Sequence, residues 1–451
     1  MSNNTRPAIP QWLEGNSGFE SVRLAVCDLN GILRGKRFPL ESITKLLKNG
    51  SRMPLSTSCI DIWGMDLTNS PFLFETGDGD GIVIPTGANL IPITWLDNPS
   101  VLLPSWMSDE KNNPSPVDPR HILQKVLCKY AALELTPVIA FELEFYLLDP
   151  DSDRPLVSKN PMTKTRLKNT SVLSIDELDS FEKFFSDVSI ACKGHNIPSD
   201  TIISENGVGQ FEINLNHNLN GLMAADHAVF LKRIVKGVAQ KHSLKASFMA
   251  KPFLNLSGNG MHLHMSINDS KGENIFSPKS HLGTNILKNA VGGQIKSLAE
   301  STLIFAPNLN SYRRLKPGSH APTSICWGYE NRTASIRIPG GDPENTRIEH
   351  RVAGADANPY LVAAAVLSAS LSGIQKQIEA PAPIDGDSYS KNLDEIPADW
   401  RTAIDTFRSG NLNKSFYCTT FREVFSNLKL QELETFGNRM EDFEVMTYLD
   451  V

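Results

Sequence analysis

The chain of 451 residues has a formal net charge of −6, with 40% hydrophobic and 21% charged residues. Chains of this length are usually divided into more than one domain, and the acidic balance gives no basic footprint for nucleic acid. The six cysteines are scattered without a CxxC pair, which argues against a zinc ribbon and favours reduced thiols. Neither a secretory signal nor an apolar run long enough to span a bilayer is visible, so a cytoplasmic protein is expected.

The N-terminal part of the chain is predicted to be rich in β-strands. Residues 21–39 have the pattern of a hairpin, because Asn30-Gly31 separates two apolar runs. Short strands and turns continue up to the segment SDEKNNPSPVDP, whose charge, asparagine and proline content is typical of a linker. We therefore predict an N-terminal domain of residues 1–112 and a second domain of residues 113–451.

Helices and strands alternate in the second domain. Asp118-Pro119 has the pattern of a helix N-cap followed by proline at the first helical position, which predicts a helix up to residue 135. Further helical patterns cover residues 222–242, 284–305 and 358–378.

The strands between these helices have strongly polar residues at alternate positions. Because successive side chains of a strand point to opposite faces, each strand places its charges on one face. The polar positions are Glu142 and Glu144; Gln210, Glu212 and Asn214; His262, His264 and Ser266; Arg347, Glu349 and Arg351; and Arg337. A solvated sheet face would explain any single strand, but carboxylates two residues apart repel each other and need cations to compensate them.

This combination of residue types indicates metal-assisted chemistry on phosphates. Carboxylates with imidazoles suit Mg²⁺ or Mn²⁺, and arginines beside them suit phosphate. The segment GILRGK at residues 31–36 is one residue short of a Walker motif and lacks its Ser or Thr. The residues alone thus predict an ATP- or phosphate-handling metalloenzyme without a P-loop.

Seven segments resemble, in this order, the glutamine synthetase superfamily: DLNGILRGKRFP, FELEFYLLD, ENGVGQFEINL, MAKPFLNLSGNGMHLHMSI, NSYRRLKPG, NRTASIRIP and RIEHRVAGADANPYL. They span nearly the whole chain, and their amino-acid sequences most resemble those of the bacterial γ-glutamylputrescine and γ-glutamylpolyamine synthetases. The resemblance implies an α+β fold, in which a small N-terminal β-grasp domain precedes a catalytic domain whose curved antiparallel sheet forms a funnel. It also implies a homo-oligomer of hexameric rings stacked as a dodecamer, with each site lying between neighbouring copies.

The resemblance assigns a role to each matched residue. Two Mg²⁺ or Mn²⁺ ions would be held by six residues: Glu144, Glu205 and Glu212 for one ion, and Glu142, His262 and Glu349 for the other. The substrate contacts would be Gly258, Arg314 and Arg351 for glutamate, Arg332 and Arg337 for the transferred phosphate, and His264, Ser266 and Arg347 for ATP. Because all six metal ligands are present, we expect an active enzyme.

The implied activity is ATP-dependent ligation of the γ-carboxyl of L-glutamate to an amine through γ-glutamyl phosphate. Two segments depart from ammonia-using enzymes: PGxEAP reads PGSHAP, with His320 in place of the glutamate, and the DGSS-like run reads LSTSCIDIWG. The loss of two anions predicts a primary amine or polyamine substrate, with His320 as the base. A packing or gating role for His320 is the alternative. Asp61, Trp63 and Trp327 are predicted to line the amine pocket.

Three other functions remain open at this point. The amine could be a small monoamine such as methylamine, isopropylamine or ethanolamine, or the substrate could be ammonia itself. The chain could also be a non-catalytic relative that acts as a structural or regulatory ring. Regulation by adenylylation is not expected, because KNLDEIP has Asp394 at the position of the modified tyrosine. Nucleic-acid and membrane partners are not expected either.

Overall fold

The computed structural model describes residues 18–73, 77–88, 90–279 and 283–440, together with positions 9, 13, 444, 446, 447 and 449. Within these residues the strands form two sheets. In the described part of the chain, no helix is both long and apolar enough to cross a membrane.

The first sheet has the β-grasp-like arrangement expected of the N-terminal part, and it is nearly closed. Its strand order is β2-β1-β6-β4-β3, and β5 pairs with β6. The elements are β1 Ser21–Cys27, β2 Leu33–Pro39, α1 Ile43–Asn49, β3 Ser51–Pro54, β4 Asp80–Pro85, β5 Ile91–Ile93 and β6 Ser100–Ser108. The predicted hairpin is confirmed as the antiparallel pair β1–β2. Its turn is closed by Asp28, whose Oδ1 accepts a hydrogen bond from the Ile32 amide at 2.8 Å, and Gly31 has a φ of 77° that favours glycine.

Both faces of strand β1 are buried, although against different partners. Val22, Leu24 and Val26 on β1 belong to a small core that also includes residues of α1. The alternate residues Ala25 and Cys27 belong to the large core of the rest of the chain. The two-residue period of β1 therefore joins the N-terminal sheet to the catalytic part through apolar contact.

The second sheet has the strand order β12-β13-β14-β11-β7-β9-β8, and β10 pairs with β7. Its strands are β7 Thr136–Leu148, β8 Ser199–Ser204, β9 Gln210–Leu215, β10 Lys245–Ser247, β11 Met261–Asn268, β12 Trp327–Tyr329, β13 Ile336–Ile338 and β14 Ile348–His350. The predicted antiparallel arrangement holds for most neighbours, but β12 and β13 are parallel, so the sheet is mixed.

The helices in the catalytic part of the chain include the four that the sequence predicts. They are α2 Pro119–Ala131, α3 Ile175–Ser180, α4 Glu182–Gly194, α5 Gly221–Lys241, α6 Gly283–Phe305, α7 Ser311–Arg314, α8 Pro359–Gln375, α9 Trp400–Ser409, α10 Asn411–Phe416 and α11 Thr419–Gly437. The predicted N-cap of α2 is confirmed, since Asp118 Oδ1 accepts from the Arg120 amide at 2.9 Å. The helix ends four residues before the predicted position 135, and Glu134 lies beyond it with a φ of 57°.

The last helix, α11, contacts the N-terminal part of the chain through a buried ion pair. Lys429 Nζ lies 2.8 Å from Glu432 Oε2, and both side chains are at most 1% exposed. Glu432 Oε1 accepts a hydrogen bond from the Ile62 amide at 2.9 Å. Breaking a buried pair of this kind by removing one partner costs about 3–5 kcal/mol. The boundary between the domains at residue 112 stays a prediction, and it falls between β6 and α2.

Candidate active site

The register of the second sheet places the predicted polar residues opposite one another. On β7, Glu142 pairs with His262 of β11, and Glu144 pairs with Glu212 of β9. On β14, Glu349 pairs with His264 of β11 and also with Arg337 of β13. Because directly opposed residues share a face, five neighbouring strands, β13, β14, β11, β7 and β9, present their charges on the same side of the sheet.

Two groups of possible metal ligands lie on this face. Glu144, Glu205 and Glu212 offer ligand atoms within 4.8 Å of one another, which is the first predicted set. The second predicted set is also brought together: His262 Nδ1 lies 3.2 Å from Glu142 Oε2 and 3.6 Å from Glu349 Oε1.

The grouping differs from the predicted one in two details. Glu212 also lies within 4.8 Å of Glu142 and His262, so it links the two sets. His264 Nε2 lies 2.9 Å from Glu142 Oε1, and His264 groups with Glu142 and Glu349. His264, predicted as an ATP contact, therefore also belongs to the carboxylate cluster.

The electrostatics of the cluster fit a bound cation. Burial and the neighbouring Glu144 raise the pKa of Glu205 to about 7. Burial and the charges of Glu142, Glu144 and Glu205 raise the pKa of Glu212 well above its ordinary value. At Glu142 the burial is outweighed by hydrogen bonds from His262 and His264, which lower its pKa. Carboxylates that repel each other in a buried site suit the hard cations Mg²⁺ or Mn²⁺.

Metal binding is expected to weaken below pH 7. Since the pKa of Glu205 is raised from 4.5 to about 7, this carboxyl is protonated in the folded protein between those values, and a cation must displace the proton. Displacement of one proton lowers the apparent affinity for the cation about 10-fold for each unit by which the pH falls below the pKa. Calorimetric titration of metal-free protein with Mn²⁺ at about pH 6 and about pH 8 would measure this change.

The same shift gives the metal-free protein a defined pH dependence of stability. A raised carboxyl pKa stabilises the folded state below pH 4.5, and this contribution is lost as the pH rises through about 7. Thermal unfolding without metal should therefore show a falling Tm across that window, and Mn²⁺ should restore it. A metal affinity that stays constant from about pH 6 to about pH 8 would contradict this account of the cluster.

Arg337, predicted to contact phosphate, is held between two carboxylates. Its Nη1 lies 2.9 Å from Glu349 Oε2, and its Nη2 lies 3.2 Å from Glu330 Oε2. Glu349 is 1% exposed, whereas Glu330 is exposed. Arg332 is also exposed, and its positive charge acts on Glu205 and Glu330. The two arginines thus lie at the edge of the carboxylate cluster.

The residues predicted to bind glutamate form one connected group. Arg351 pairs with Glu349, while the buried Arg314 donates to the carbonyl oxygens of Val352 at 2.8 Å and of Arg351 at 3.4 Å. A Cβ at Gly258 would lie 2.6 Å from the Ala250 oxygen and 2.7 Å from Arg314 Cγ, so a side chain does not fit there. In this conformation Arg314 fixes the backbone that carries Arg351.

Gln210 is a buried residue of this site to which the sequence assigns no role. Its Nε2 donates to the Gly258 oxygen and to Asn259 Oδ1, both at 3.0 Å. The Gly260 amide, in the same loop, donates to Glu144 Oε2 at 2.6 Å. The position of Gln210 on the charged face of the strand GQFEINL is the sequence signal that could have identified it.

The predicted ATP contacts line a large cavity beside the cluster. Its volume is 1330 Å³, and His264, Ser266 and Arg347 lie in its wall together with Glu142. Arg347 Nε donates to His264 Nδ1 at 3.1 Å. Asn274 donates to the carbonyl oxygens of residues 344 and 346, which holds the turn before Arg347. The space is large enough for a nucleotide.

The residues predicted for the amine pocket are not brought together within one chain. Trp327 is 1% exposed and donates from Nε1 to the Pro381 oxygen at 2.7 Å, so its ring is part of the core. Asp61 is 2% exposed, and its Oδ1 accepts from the amides of Trp63 and Met65. Trp63 is partly exposed, and the centroid of its ring lies 5.3 Å from the ring centroid of Phe436 on α11.

His320 is exposed, on the loop between α7 and β12. It has a φ of 60°, in the left-handed region that non-glycine residues seldom adopt. Such strain is maintained where the surrounding structure fixes the backbone.

Comparison with known proteins identifies the family to which the chain is similar. The family "Glutamine synthetase, catalytic domain" matches residues 116–448. The gamma-glutamylputrescine synthetase of Escherichia coli is 35% identical over 440 residues, which cover 97% of this chain and 93% of the relative. A glutamate–isopropylamine ligase of Pseudomonas is 30% identical over 96% of this chain and 95% of its own. The solved structure titled "Apo GmaS without ligand" has a TM-score of 0.83 at 28% identity, covering 96% and 97% of the two chains.

The fold, the paired clusters and these relatives define the class as ATP-dependent glutamate–amine ligases. The chain belongs to the glutamine synthetase family.

Proposed function

We propose that the amine joined to glutamate is a primary amine or polyamine of the putrescine type. The observation that carries this proposal is His320, which replaces the glutamate of the PGxEAP segment and lies on an exposed loop. A neutral imidazole offers no negative charge to bind ammonium, and it can accept a proton from a larger amine. The likeness to the putrescine enzyme of E. coli supports the same choice.

In the first half of the proposed reaction, the γ-carboxylate of glutamate attacks the γ-phosphorus of ATP, and ADP leaves. Two divalent cations held by the carboxylate clusters would neutralise charge on the phosphates when bound. Arg351 would orient the α-carboxylate of glutamate, with Arg314 fixing its backbone. Arg332 and Arg337 would stabilise the equatorial oxygens as the phosphoryl group transfers.

In the second half, the neutral amine attacks the carbonyl carbon of γ-glutamyl phosphate. Inorganic phosphate leaves with the bonding electrons, and the attacking nitrogen loses one proton. We assign His320 as the acceptor of that proton, because an imidazole is a suitable base near neutral pH. The products are a γ-glutamyl amide, ADP and phosphate.

We further propose that a neighbouring copy of the chain completes the amine end of the site. Within one chain, Asp61 and Trp63 contact α11 through Gln431 and Phe436. Ile62 and Met65 beside them are exposed. A homo-oligomer of hexameric rings stacked as a dodecamer would place this loop beside the site of another copy.

Phosphate release from ATP, with glutamate, Mg²⁺ or Mn²⁺ and a panel of amines, tests the proposed substrate. The panel contains ammonium, methylamine, isopropylamine, ethanolamine, putrescine and spermidine. We expect the highest kcat/KM with putrescine or spermidine. The second candidate is a small monoamine, which the 30% identity to the isopropylamine ligase favours. Highest kcat/KM with ammonium would contradict the argument from His320.

Replacing His320 by alanine is expected to lower amine-dependent kcat by about 10²-fold, because the attacking nitrogen loses its proton acceptor. Glutamate-dependent phosphate release without amine should remain, since phosphoryl transfer precedes the need for a base. His242→Ala is the matched control, because His242 pairs with Asp187 Oδ2 at 2.9 Å at the end of α5. Unchanged amine-dependent turnover in His320→Ala would remove the base role.

A further inference from the structure

One segment between α8 and α9 crosses the two loops that carry proposed catalytic residues. It consists of residues 384–390 and contains a 3₁₀ turn, Ser388–Ser390. We name residues 384–390 the strap. The sequence assigns no role to the strap, and its side chains lie outside the metal clusters.

The strap is hydrogen-bonded to both sides of Arg332. On one side, Asn331 Nδ2 donates to the Gly386 oxygen at 2.8 Å. On the other side, Thr333 Oγ1 accepts from the Ser388 amide at 2.9 Å, and Ser388 Oγ donates to the Thr333 oxygen at 2.7 Å. Ser388 is completely buried. The backbone on either side of the exposed Arg332 is therefore fixed by the strap.

The strap also contacts the loop of His320. Tyr389 Oη donates to the oxygen of Ala321, the residue after His320, at 2.8 Å. The other end of the loop is fixed by Ser319 Oγ, which donates to the Arg314 oxygen at 2.7 Å. Because His320 has a left-handed backbone conformation, the loop needs contacts on both sides to keep it there.

The charges of the proposed glutamate site act on Tyr389. Burial raises the pKa of Tyr389, while the positive charges of Arg314 and Arg351 act in the opposite direction. The phenol therefore stays protonated and donates its hydrogen bond at neutral pH. Both arginines that the resemblance assigns to glutamate are close enough to influence this side chain.

We propose that the strap is a positioning element for both half-reactions: Tyr389 holds the His320 loop for amine attack, and Ser388 holds the Arg332 loop for phosphoryl transfer. This inference rests on the proposed roles of His320 and Arg332. Neither strap residue touches a reacting atom. Each acts by fixing the backbone of a neighbour that does.

The variant Tyr389→Phe tests the first contact, because it removes one hydroxyl and keeps the ring. Its kcat/KM for the best amine of the panel should fall about 10-fold, equivalent to the loss of one hydrogen bond of about 1.4 kcal/mol. Glutamate-dependent phosphate release without amine should not fall. The matched control is Tyr329→Phe, because Tyr329 is 51% exposed and its hydroxyl has no hydrogen-bond partner among the described residues. Equal effects of the two substitutions would overturn the role of Tyr389.

The variant Ser388→Ala tests the second contact and separates it from the first. It removes the hydrogen bond to the Thr333 oxygen, so glutamate-dependent phosphate release should fall with and without amine. A Tm measurement on each variant separates loss of positioning from loss of folding. A Ser388→Ala enzyme impaired only in the amine step, or not impaired at all, would overturn the division of roles.

The same measurements distinguish this inference from the proposed substrate. If wild-type enzyme uses ammonium best, the polyamine proposal fails, although the contrast between Tyr389→Phe and Tyr329→Phe can still be measured with ammonium. If His320→Ala has no effect while Tyr389→Phe does, the loop contact acts on another group and the inference as stated is overturned. Loss of the amine step in both His320→Ala and Tyr389→Phe supports it.

Discussion

Replacing Glu212 by glutamine is expected to lower ATP turnover with glutamate and amine by on the order of 10³-fold. Glu212 groups with Glu144 and Glu205, and also with Glu142 and His262, so one substitution removes a ligand from both clusters. The amide is nearly isosteric with the protonated carboxyl that burial favours, so the metal-free fold should be retained. Phosphate release and Mn²⁺ titration of the same preparation would measure both effects.

The control for this substitution is Glu177→Gln on α3. Glu177 is also buried, burial raises its pKa, and it accepts a hydrogen bond from Ser204 Oγ at 3.3 Å. It belongs to neither cluster, so its amide should keep turnover and Mn²⁺ affinity within about threefold of wild type. If Glu212→Gln retained wild-type Mn²⁺ affinity, Glu212 would not be a metal ligand.

Replacing Arg337 by lysine is expected to lower kcat by about 10²-fold with little change in the KM for amine. The guanidinium of Arg337 spans two carboxylates, Glu349 at 2.9 Å and Glu330 at 3.2 Å. A lysine ammonium keeps the charge but cannot contact two separated groups in a fixed plane. The defect should appear in the glutamate-dependent cleavage of ATP without amine, measured in a single turnover.

Arg166→Lys is the matched control for Arg337. The guanidinium of Arg166 also contacts two groups at once. Its Nη2 lies 2.8 Å from Asp149 Oδ2, and its Nη1 donates to the Val157 oxygen at 2.5 Å. Its partners lie in the segment that follows β7, away from the clusters, so kcat should change by less than about twofold. Wild-type kcat in Arg337→Lys would exclude Arg337 from phosphoryl transfer.

Alternating polarity within single strands was enough to predict which side chains share the charged face. The pairs Glu142–His262 and Glu144–Glu212 follow once β7 lies between β9 and β11. The face on which each side chain lies follows from its position within its own strand, because the side-chain period of a strand is two residues. Which strands are neighbours is not a local property, and no strand order was predicted from the sequence; the resemblance to a family supplied only the grouping of the metal ligands.

Details that depend on one-ångström placement could not be predicted. The distance of 2.9 Å between His264 and Glu142 depends on the rotamers of both side chains. The carbonyl partners of Arg314 come from the path of residues 351–352, which no local pattern specifies. The parallel pairing of β12 with β13 likewise depends on a connection between strands of three residues each.

The residues predicted for the amine pocket illustrate a related limit of sequence patterns. An aromatic residue in a sequence can be a core residue or a pocket wall, and the 1% exposure of Trp327 makes it a core residue within one chain. An aspartate can bind a ligand or close a turn, and Asp61 accepts two backbone amides. These alternatives are decided by tertiary contacts, so the roles of both residues stay predictions.

The contact between α11 and the N-terminal part of the chain can form only late during synthesis. Glu432 and Ile62 are separated by 370 residues. The hydrogen bond from the Ile62 amide to the Glu432 carboxylate therefore cannot form until nearly the whole chain has been made. At typical rates of translation that interval lasts on the order of 20–70 s. During the first part of this interval, before Phe230 and Tyr360 have been made, the face of β1 formed by Ala25 and Cys27 is not yet covered by the catalytic core. A nascent chain that exposes an apolar sheet face for tens of seconds is a natural client for chaperones on the ribosome.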